Sequence, residues 1–256
     1  MLSGNFSWNY YHFIFEFLSK FYLLDMSNIS NNIPLIVDEC INNAPQFKDL
    51  LDYFNKDKRE VLYIKPGYIY NIEILYYLSF LNIIPPNYRD ISGIKYTDCL
   101  FNRQSIEFLR ECLLQKKSER CFHKRIFISR KNASSRRKYN EDEVIGLFNK
   151  YDFKVFSPED YSIPEQISLF NDAEFIAGTT GAAFTNILFC SNQCKILCFQ
   201  SIEMDISIFS TIAKILGVDF QYFTAKDGLH QINDIHEEFT LNVKNLEDVL
   251  VQFLMK

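Results

Sequence analysis

No stretch of about eighteen consecutive apolar residues, the length needed for a membrane-spanning helix, occurs in this chain. The most apolar segment near the start, FIFEFLSKFYLL (13–24), is interrupted by the charged side chains Glu16 and Lys20. A signal peptide would need an unbroken apolar segment instead. The sequence therefore predicts neither a membrane span nor a leader, and we expect the protein in the cytoplasm.

Metal-binding and disulfide patterns are missing as well. The chain contains no Asp-x-Asp pair and no H-E-x-x-H motif, so a divalent ion held by paired carboxylates is not expected. Its seven cysteines are odd in number and irregularly spaced, which is typical of reduced thiols. The spacing of Cys190, Cys194 and Cys198 matches none of the usual zinc motifs, so buried thiols are expected there. The sequence predicts no metal site and no cofactor.

The chain is acidic overall, yet its positive charge is concentrated in one region. The formal net charge is −5, whereas residues 116–138 contain ten Lys or Arg and a single acid, Glu119. The local balance of +9 leaves −14 for the rest of the chain. Because general nucleic-acid binders are usually basic overall, we expect no nucleic-acid partner. A compact basic region on an acidic body fits a small, highly charged anion better.

Apolar runs alternate with amphipathic segments in the second half of the chain. Strands are predicted at KRIFISR (124–130), FKVFSPED (153–160), EFIAG (174–178) and CKILCFQ (194–200). Helices are predicted at NEDEVIGLFNKY (140–151), SIPEQISLFNDA (162–173) and TTGAAFTNILFC (179–190). Strands that alternate with helices of this length indicate βαβ units on a parallel sheet. We predict an α/β fold with a Rossmann-like C-terminal half.

The first half shows the same alternation in weaker form. Helices are predicted over 9–25, 44–55 and 104–117, and strands in IPLIVDE (33–39) and EVLYIKPG (60–67). We therefore expect two α/β lobes that face a cleft, one over residues 1–119 and one over 120–256. The last helix, NLEDVLVQFLMK (245–256), could pack on either lobe.

A diphosphate site is predicted where two strands of the second lobe end. Arg130 ends an apolar strand, with Arg136 and Arg137 on the loop after it, and Gly178 and Gly181 open the next strand-to-helix turn. Arginines opposite a helix N-terminus suit phosphate oxygens. Two simpler interpretations stay open: the loop arginines could be solvated surface, and the small residues of GTTGAAF could serve helix packing.

A proton acceptor is predicted in the first lobe. His12 and Glu16 stand four residues apart, on one face of the predicted helix. A carboxylate can take a hydroxyl proton while a neighbouring imidazole shares or orients it. The alternative is a histidine satisfied within the core. The aromatics beside it, Trp8, Tyr10 and Tyr11, could line an acceptor pocket or belong to the core.

Three segments together resemble a known family. They are NYYHFIFEFLSKFYLLD (9–25), RIFISRKNASSRRKYNEDEVIGLFNKYDFKVFSPED (125–160) and PEQISLFNDAEFIAGTTGAAFTNILFC (164–190). In this order they resemble glycosyltransferase family 61, which includes capsular-polysaccharide-type enzymes of bacteria. The resemblance implies a GT-B fold and an inverting, metal-independent hexosyl- or pentosyltransferase. It would use a nucleoside-diphosphate sugar donor and a glycan or lipid-linked acceptor.

The resemblance also implies roles for individual residues. Glu16 would be the general base beside His12, Arg130 and Arg136 would hold the donor phosphates, and the turn Thr180–Gly181–Ala182 would cap the diphosphate with Asn186 nearby. The remaining expected substrate-binding residues are Asn9, Arg137, Asn140, Glu141, Thr179 and Thr185. A lipid-linked acceptor would bring the protein to the inner face of a membrane without inserting it, and self-association is left open.

Two departures from the family pattern matter for function. Relatives commonly read G-P-H-G-A-G-L-T-N where this chain reads GTTGAAFTN, so Thr180 replaces a histidine and Ala183 replaces a glycine. Relatives also carry a longer region before NYYH, which makes a reduced acceptor lobe the expectation here. An alternative function follows: a non-catalytic module that binds nucleotide or glycan.

Overall fold

The structure is a computed structural model that describes residues 1–84, 98–131, 138–201, 207–225 and 238–255. It divides into two units, Met1–Lys117 and Ser118–Lys256, which we call unit 1 and unit 2. Arg136 and Arg137 lie outside the described residues.

The described part of unit 1 combines short helices with two strand pairs. Its helices are α1 (Tyr10–His12), α2 (Lys20–Asp25), α3 (Glu39–Asn42), α4 (Pro45–Phe54) and α5 (Arg103–Leu114). Its strands are β1 (Leu35–Asp38), β2 (Val61–Ile64), β3 (Asn82–Ile83) and β4 (Leu100–Phe101). β1 and β2 pair in parallel, and β3 and β4 pair antiparallel. Because the described part of unit 1 shows a single parallel pair, a Rossmann-like sheet there stays a prediction.

The segment predicted as one regular helix over 9–25 contains a π-helix, Phe13–Leu18, between α1 and α2. The regular-helix prediction is therefore wrong in its middle. The wider π turn leaves backbone groups that the α-helical ladder would have satisfied. The buried Asn82 meets one of them, since its Nδ2 donates to the Phe15 carbonyl at 2.7 Å. Every residue of the π-helix is buried, so this segment forms the centre of unit 1.

Unit 2 is built on one five-stranded sheet, and the α/β prediction is confirmed. Its strands are β5 (Arg125–Ile128), β6 (Lys154–Phe156), β7 (Phe175–Thr179), β8 (Lys195–Ser201) and β9 (Asp219–Ala225). Its α-helices are α6 (Glu141–Lys150), α7 (Ile163–Asp172), α8 (Ile208–Leu216) and α9 (Val243–Met255), and short 3₁₀ helices lie at Pro158–Asp160 and Ala182–Phe189. All neighbouring strands pair in parallel, in the order β6-β5-β7-β8-β9.

The core of unit 2 explains why these residues form strands. β5 and β8 are continuous apolar runs, and Phe127, Leu197 and Phe199 are wholly buried between the sheet and its helices. Parallel strands covered on both faces take such runs rather than alternating patterns. α9 also belongs to this core through residues that include Phe253, whose ring packs edge-on against Phe175 at 5.7 Å.

Glycine has opposite consequences at two positions of unit 2. A Cβ at Gly178 would lie 2.8 Å from the Ile128 carbonyl oxygen, because β5 and β7 pair closely there. We expect Gly178→Ala to destabilise unit 2 by about 1–3 kcal/mol through overpacking. Gly146 lies exposed within α6 with open space around it, so Gly146→Ala should stabilise by about 0.5–1 kcal/mol. Urea unfolding of both variants and of the wild type measures the two changes in stability. Equal unfolding midpoints in the two variants would contradict the expectation.

Candidate functional site

The first candidate site lies at one edge of the sheet in unit 2. Counted from the start of the unit, the strand order is 2-1-3-4-5, which is doubly wound with a switch point between β5 and β7. Ligands of such sheets bind beyond the carboxyl ends of the strands at that point. Ile128 pairs with Gly178, so the residues that follow, Arg130 on one side and Thr180 on the other, emerge at the same edge. We call this the switch-point edge.

Arg130 reaches directly across the switch-point edge to Gly181. A Cβ at Gly181 would collide with Arg130 Nη1 and lie 3.4 Å from its Cζ, so the guanidinium occupies the space that a side chain would fill. The backbone of Gly181 is extended, with φ 165° and ψ −178°, a conformation open to any residue. Glycine is needed here for space rather than for backbone freedom.

The surroundings of Arg130 favour an anionic ligand. Burial lowers the pKa of its guanidinium, while Tyr139, Glu141 and Glu159 act in the opposite direction. Since an arginine remains charged at neutral pH, this partly buried cation loses hydration that phosphate oxygens could replace. The Arg130 backbone N–H donates to Glu141 Oε1 at 2.8 Å, which fixes the loop where it leaves β5.

Tyr139 is a member of this site that sequence reasoning missed. Its hydroxyl lies near Thr179 and the Glu141 carboxylate, and burial raises its pKa, so the phenol stays protonated. The ring stacks on Phe239 with 5.6 Å between centroids and 8° between planes. The only available signal was its position in the chain, one residue past the basic loop.

The predicted helix over 179–190 is a 3₁₀ helix, Ala182–Phe189, so the α-helical prediction is wrong. Thr185 and Asn186 are weak α-helix formers, which favours the tighter turn. Phe184 N–H already donates to the Gly181 carbonyl at 2.9 Å. The anion site expected at an α-helix N-terminus therefore reduces to the turn around Gly181 and the nearby guanidinium.

Most polar side chains predicted for this turn are buried within unit 2. Thr179, Thr180, Thr185 and Asn186 are at most 3% exposed, and Asn186 Nδ2 donates to Gln166 Oε1 at 2.8 Å. The Thr180 N–H donates to the Phe199 carbonyl at 3.0 Å. Ala182 is exposed by contrast. The turn would consequently meet a ligand through its backbone more readily than through these side chains.

Asn140 and Glu141 lie at the start of α6 and contact the segments around the switch-point edge. Asn140 Nδ2 donates to the Leu241 carbonyl at 3.0 Å, and its Oδ1 accepts the Leu241 N–H at 2.9 Å. A second contact of Nδ2 reaches Glu143 Oε2 at 2.8 Å. The structure thus gives Asn140 an anchoring contact with the segment before α9, and gives Glu141 the contact with Arg130.

The second candidate site is the His12–Glu16 pair in unit 1. His12 Nδ1 lies 2.8 Å from Glu16 Oε2, so the spacing of four residues brings the side chains together as the sequence predicted. Glu16 is wholly buried, whereas His12 keeps 7% exposure. Asn9 caps the helix start, since its side-chain oxygen accepts the Tyr11 N–H at 3.0 Å. Of the two groups in the pair, the imidazole is the one with access to solvent.

Aromatic rings hold the imidazole in place. Phe6 stacks on His12 at 5.0 Å with 26° between planes, and Tyr11 meets it edge-on at 5.1 Å. Phe6 adopts φ 66°, a left-handed conformation that is uncommon for a bulky residue and is often kept at functional positions. Trp8 is 65% exposed, and Tyr10 packs on Phe47. The structure therefore brings Phe6 to His12, although sequence reasoning did not single out this residue.

Lys20 is the third ionisable residue of this helical segment. It follows His12 and Glu16 at the same spacing of four residues, which was a usable signal in the sequence. Its side chain is wholly buried.

Three further observations concern membrane spans, metal sites and thiols among the described residues. None of their helices combines the length and apolar character needed to cross a bilayer. Within the same ranges, no three His, Cys, Asp or Glu side chains gather where they could hold a metal ion. All seven cysteines are free thiols.

Comparison with known protein families identifies a match that covers most of the chain. The sequence model of the family described as Glycosyltransferase 61 matches residues 10–197, which include both candidate sites. No curated protein matches the chain.

Proposed function

We propose that this chain, which belongs to glycosyltransferase family 61, moves a sugar from a nucleoside-diphosphate sugar to a glycan or lipid-linked acceptor with inversion. Membership of the family supports glycosyltransferase activity with a donor and an acceptor substrate. The GT-B arrangement implied by the resemblance, with the donor on the second lobe and the acceptor on the first, is part of the proposal.

One observation carries the donor assignment: the Arg130 guanidinium lies against Gly181 at the switch point of a doubly wound sheet. A guanidinium can bind two phosphate oxygens at once, and backbone N–H groups of the turn can bind others. In the proposed reaction these groups stabilise the negative charge of the departing nucleoside diphosphate. Arg136 and Arg137 would add further positive charge to stabilise the leaving diphosphate, as the sequence suggests.

The acceptor chemistry is assigned to the His12–Glu16 pair acting together. Glu16 remains the proposed source of basicity, but its complete burial and its 2.8 Å contact with Nδ1 favour His12 Nε2 as the atom that meets the acceptor hydroxyl. A carboxylate in this position fixes the tautomer and stabilises the imidazolium that forms, as in catalytic triads.

In the proposed step, one bond forms and another breaks at the anomeric carbon. The acceptor oxygen forms a bond to the anomeric carbon as the bond from that carbon to the diphosphate oxygen breaks on the opposite face. The hydroxyl proton passes to His12, and the electron pair leaves with the nucleoside diphosphate. The product is an inverted glycosidic bond and a free nucleoside diphosphate.

Several finer parts of the proposal are supported by the resemblance alone. They are the hexosyl or pentosyl donor, a role in surface-polysaccharide synthesis, and a lipid-linked acceptor reached at the inner face of a membrane. Independence of a metal ion belongs to the same set.

A second candidate is a binding module that holds nucleotide or glycan without turnover. The observation that favours it is Thr180, which stands where relatives commonly carry a histidine and whose side chain is only 3% exposed. A side chain so buried would not replace the contact that an imidazole could make.

A thermal-shift screen tests the proposed function. Nucleoside diphosphates and their sugars at about a hundred times the dissociation constant should raise the unfolding free energy by about 2.7 kcal/mol. Nucleosides serve as the uncharged control and should give no shift. Donor hydrolysis or transfer by the purified protein would support the enzyme, whereas shifts without turnover over a broad acceptor panel would favour the binding module. Absence of any shift across the panel would contradict the enzyme and a nucleotide-binding module alike.

A further inference from the structure

Lys20 is a buried cation to which the proposed reaction assigns no role. Its side chain is wholly inside unit 1, and no hydrogen-bond partner for its Nζ lies among the described residues. Three rings surround the ammonium instead, with centroids 4.1 Å (Phe80), 4.7 Å (Tyr77) and 5.5 Å (Phe17) from Nζ. Aromatic faces attract a cation but replace only part of its lost hydration. A lysine kept in such a place needs a reason beyond packing.

The reason lies one helical turn away. Lys20 is four residues after Glu16, whose carboxylate is also wholly buried, and the two charges attract each other. A buried carboxylate is costly without a compensating positive charge. His12 contacts the same carboxylate at 2.8 Å. The imidazole, the carboxylate and the ammonium thus follow one another at intervals of four residues along one buried helical segment.

We propose that Lys20 is a positioning residue that keeps Glu16 ionised, so that the Nδ1 proton stays on His12 and Nε2 remains able to accept a proton. This rests on the proposed function only in taking His12 as the base. Among the described residues, the charged and titratable groups that act on the ammonium or contact it are Glu16, Tyr77 and the amino group of Met1. The Met1 amino group donates to the Tyr76 carbonyl at 3.1 Å.

The sign of the effect follows from electrostatics. A positive charge beside the pair makes binding of an extra proton less favourable. If the ammonium is removed, the pair takes up a proton more readily, and the base is blocked over a wider acidic range. The acidic limb of the pH profile of kcat/KM, which reports the free enzyme's base, should therefore move to higher pH.

Lys20→Met is the test, because methionine is unbranched and can fill an aromatic cage. We expect the acidic limb of kcat/KM to move up by about one pH unit, a tenfold change in proton affinity. The titration midpoint of the His12 imidazole, measured by NMR, should move in the same direction. This measurement does not depend on turnover. Lys20→Arg, which keeps the charge, should leave both near the wild-type position.

A second readout is the pH dependence of stability. Burial lowers the pKa of Lys20 to about 8 from an ordinary value of 10.5. The unfolded chain then binds more protons in this window, so wild-type stability should rise relative to Lys20→Met as the pH increases from about 8 to about 10.5. Urea unfolding of both proteins across that range measures the difference.

The outcomes separate this inference from the proposed function. If the wild-type protein transfers no sugar but the imidazole titration moves in Lys20→Met, the electrostatic role stands and the proposed function fails. If transfer occurs and neither the imidazole titration nor the acidic limb moves, the role of Lys20 is wrong.

Discussion

Arg130→Ala is expected to remove the stabilisation that nucleoside diphosphates give to the protein, because the only described guanidinium at the switch-point edge is lost. Hydrogen bonds to charged groups contribute about 1.5–3 kcal/mol, so the dissociation constant should rise at least tenfold. Isothermal titration with a nucleoside diphosphate measures this directly. Lys131→Ala is the matched control, since it removes one positive charge at the next residue in the chain. The Lys131 side chain is exposed and pairs with Asp142.

Gly181→Ala tests the same contact from the opposite side. The added Cβ would collide with Arg130 Nη1, the far end of a flexible side chain, which can swing away at little cost. We expect weaker nucleotide binding with nearly unchanged stability, in contrast to Gly178→Ala. Gly146→Ala controls for the substitution itself. Wild-type affinity in Gly181→Ala together with wild-type affinity in Arg130→Ala would exclude this edge as the donor site.

Glu16→Gln and His12→Ala are expected to lower the transfer rate by about 10²–10⁴-fold while leaving donor binding unchanged. Glu16→Gln keeps the size of the side chain but removes its charge, and His12→Ala removes the group proposed to meet the acceptor. Initial rates with saturating donor measure the loss, and the nucleoside-diphosphate thermal shift reports that unit 2 is intact. Met26→Ala, at a 70% exposed position just after α2, is the control.

Two results would contradict this assignment. Full transfer activity in Glu16→Gln would show that the carboxylate charge has no catalytic role. Full activity in His12→Ala with loss in Glu16→Gln would return the base to Glu16 itself. Loss in both, with retained donor binding, is the expected pattern.

The sheet of unit 2 could be predicted in large part because its central strands β5, β7 and β8 are largely apolar and are separated by helical segments. β5 and β6 fall within their predicted segments, and β7 and β8 each end one residue beyond theirs. α8 and β9 were not identified, although Ile208–Leu216 is strongly amphipathic. Strand order cannot be read from such runs, since every parallel strand carries the same apolar signal. The switch point therefore became visible only in the structure.

The site was predictable only where position in the chain fixes position in space. Arg130 could be found because it follows a buried strand, and His12 could be paired with Glu16 because four residues make one helical turn. The burial of Thr179 and Asn186 could not be foreseen, since a polar residue after a strand can face ligand or core. The π-helix likewise could not be predicted from the spacing of apolar residues, because nearly every residue from Phe13 to Leu18 is apolar and shows no period.

The double contact between Asn140 and Leu241 has a consequence for biogenesis. These residues are 101 positions apart, and contacts of high sequence separation form late because the intervening chain must first be closed into a loop. During synthesis, α6 cannot gain its anchor until Leu241 has left the ribosome. Nascent chains that stop before this point should lack the Leu241 contact of Asn140 at the start of α6, and should acquire nucleotide affinity only after Leu241 has been released.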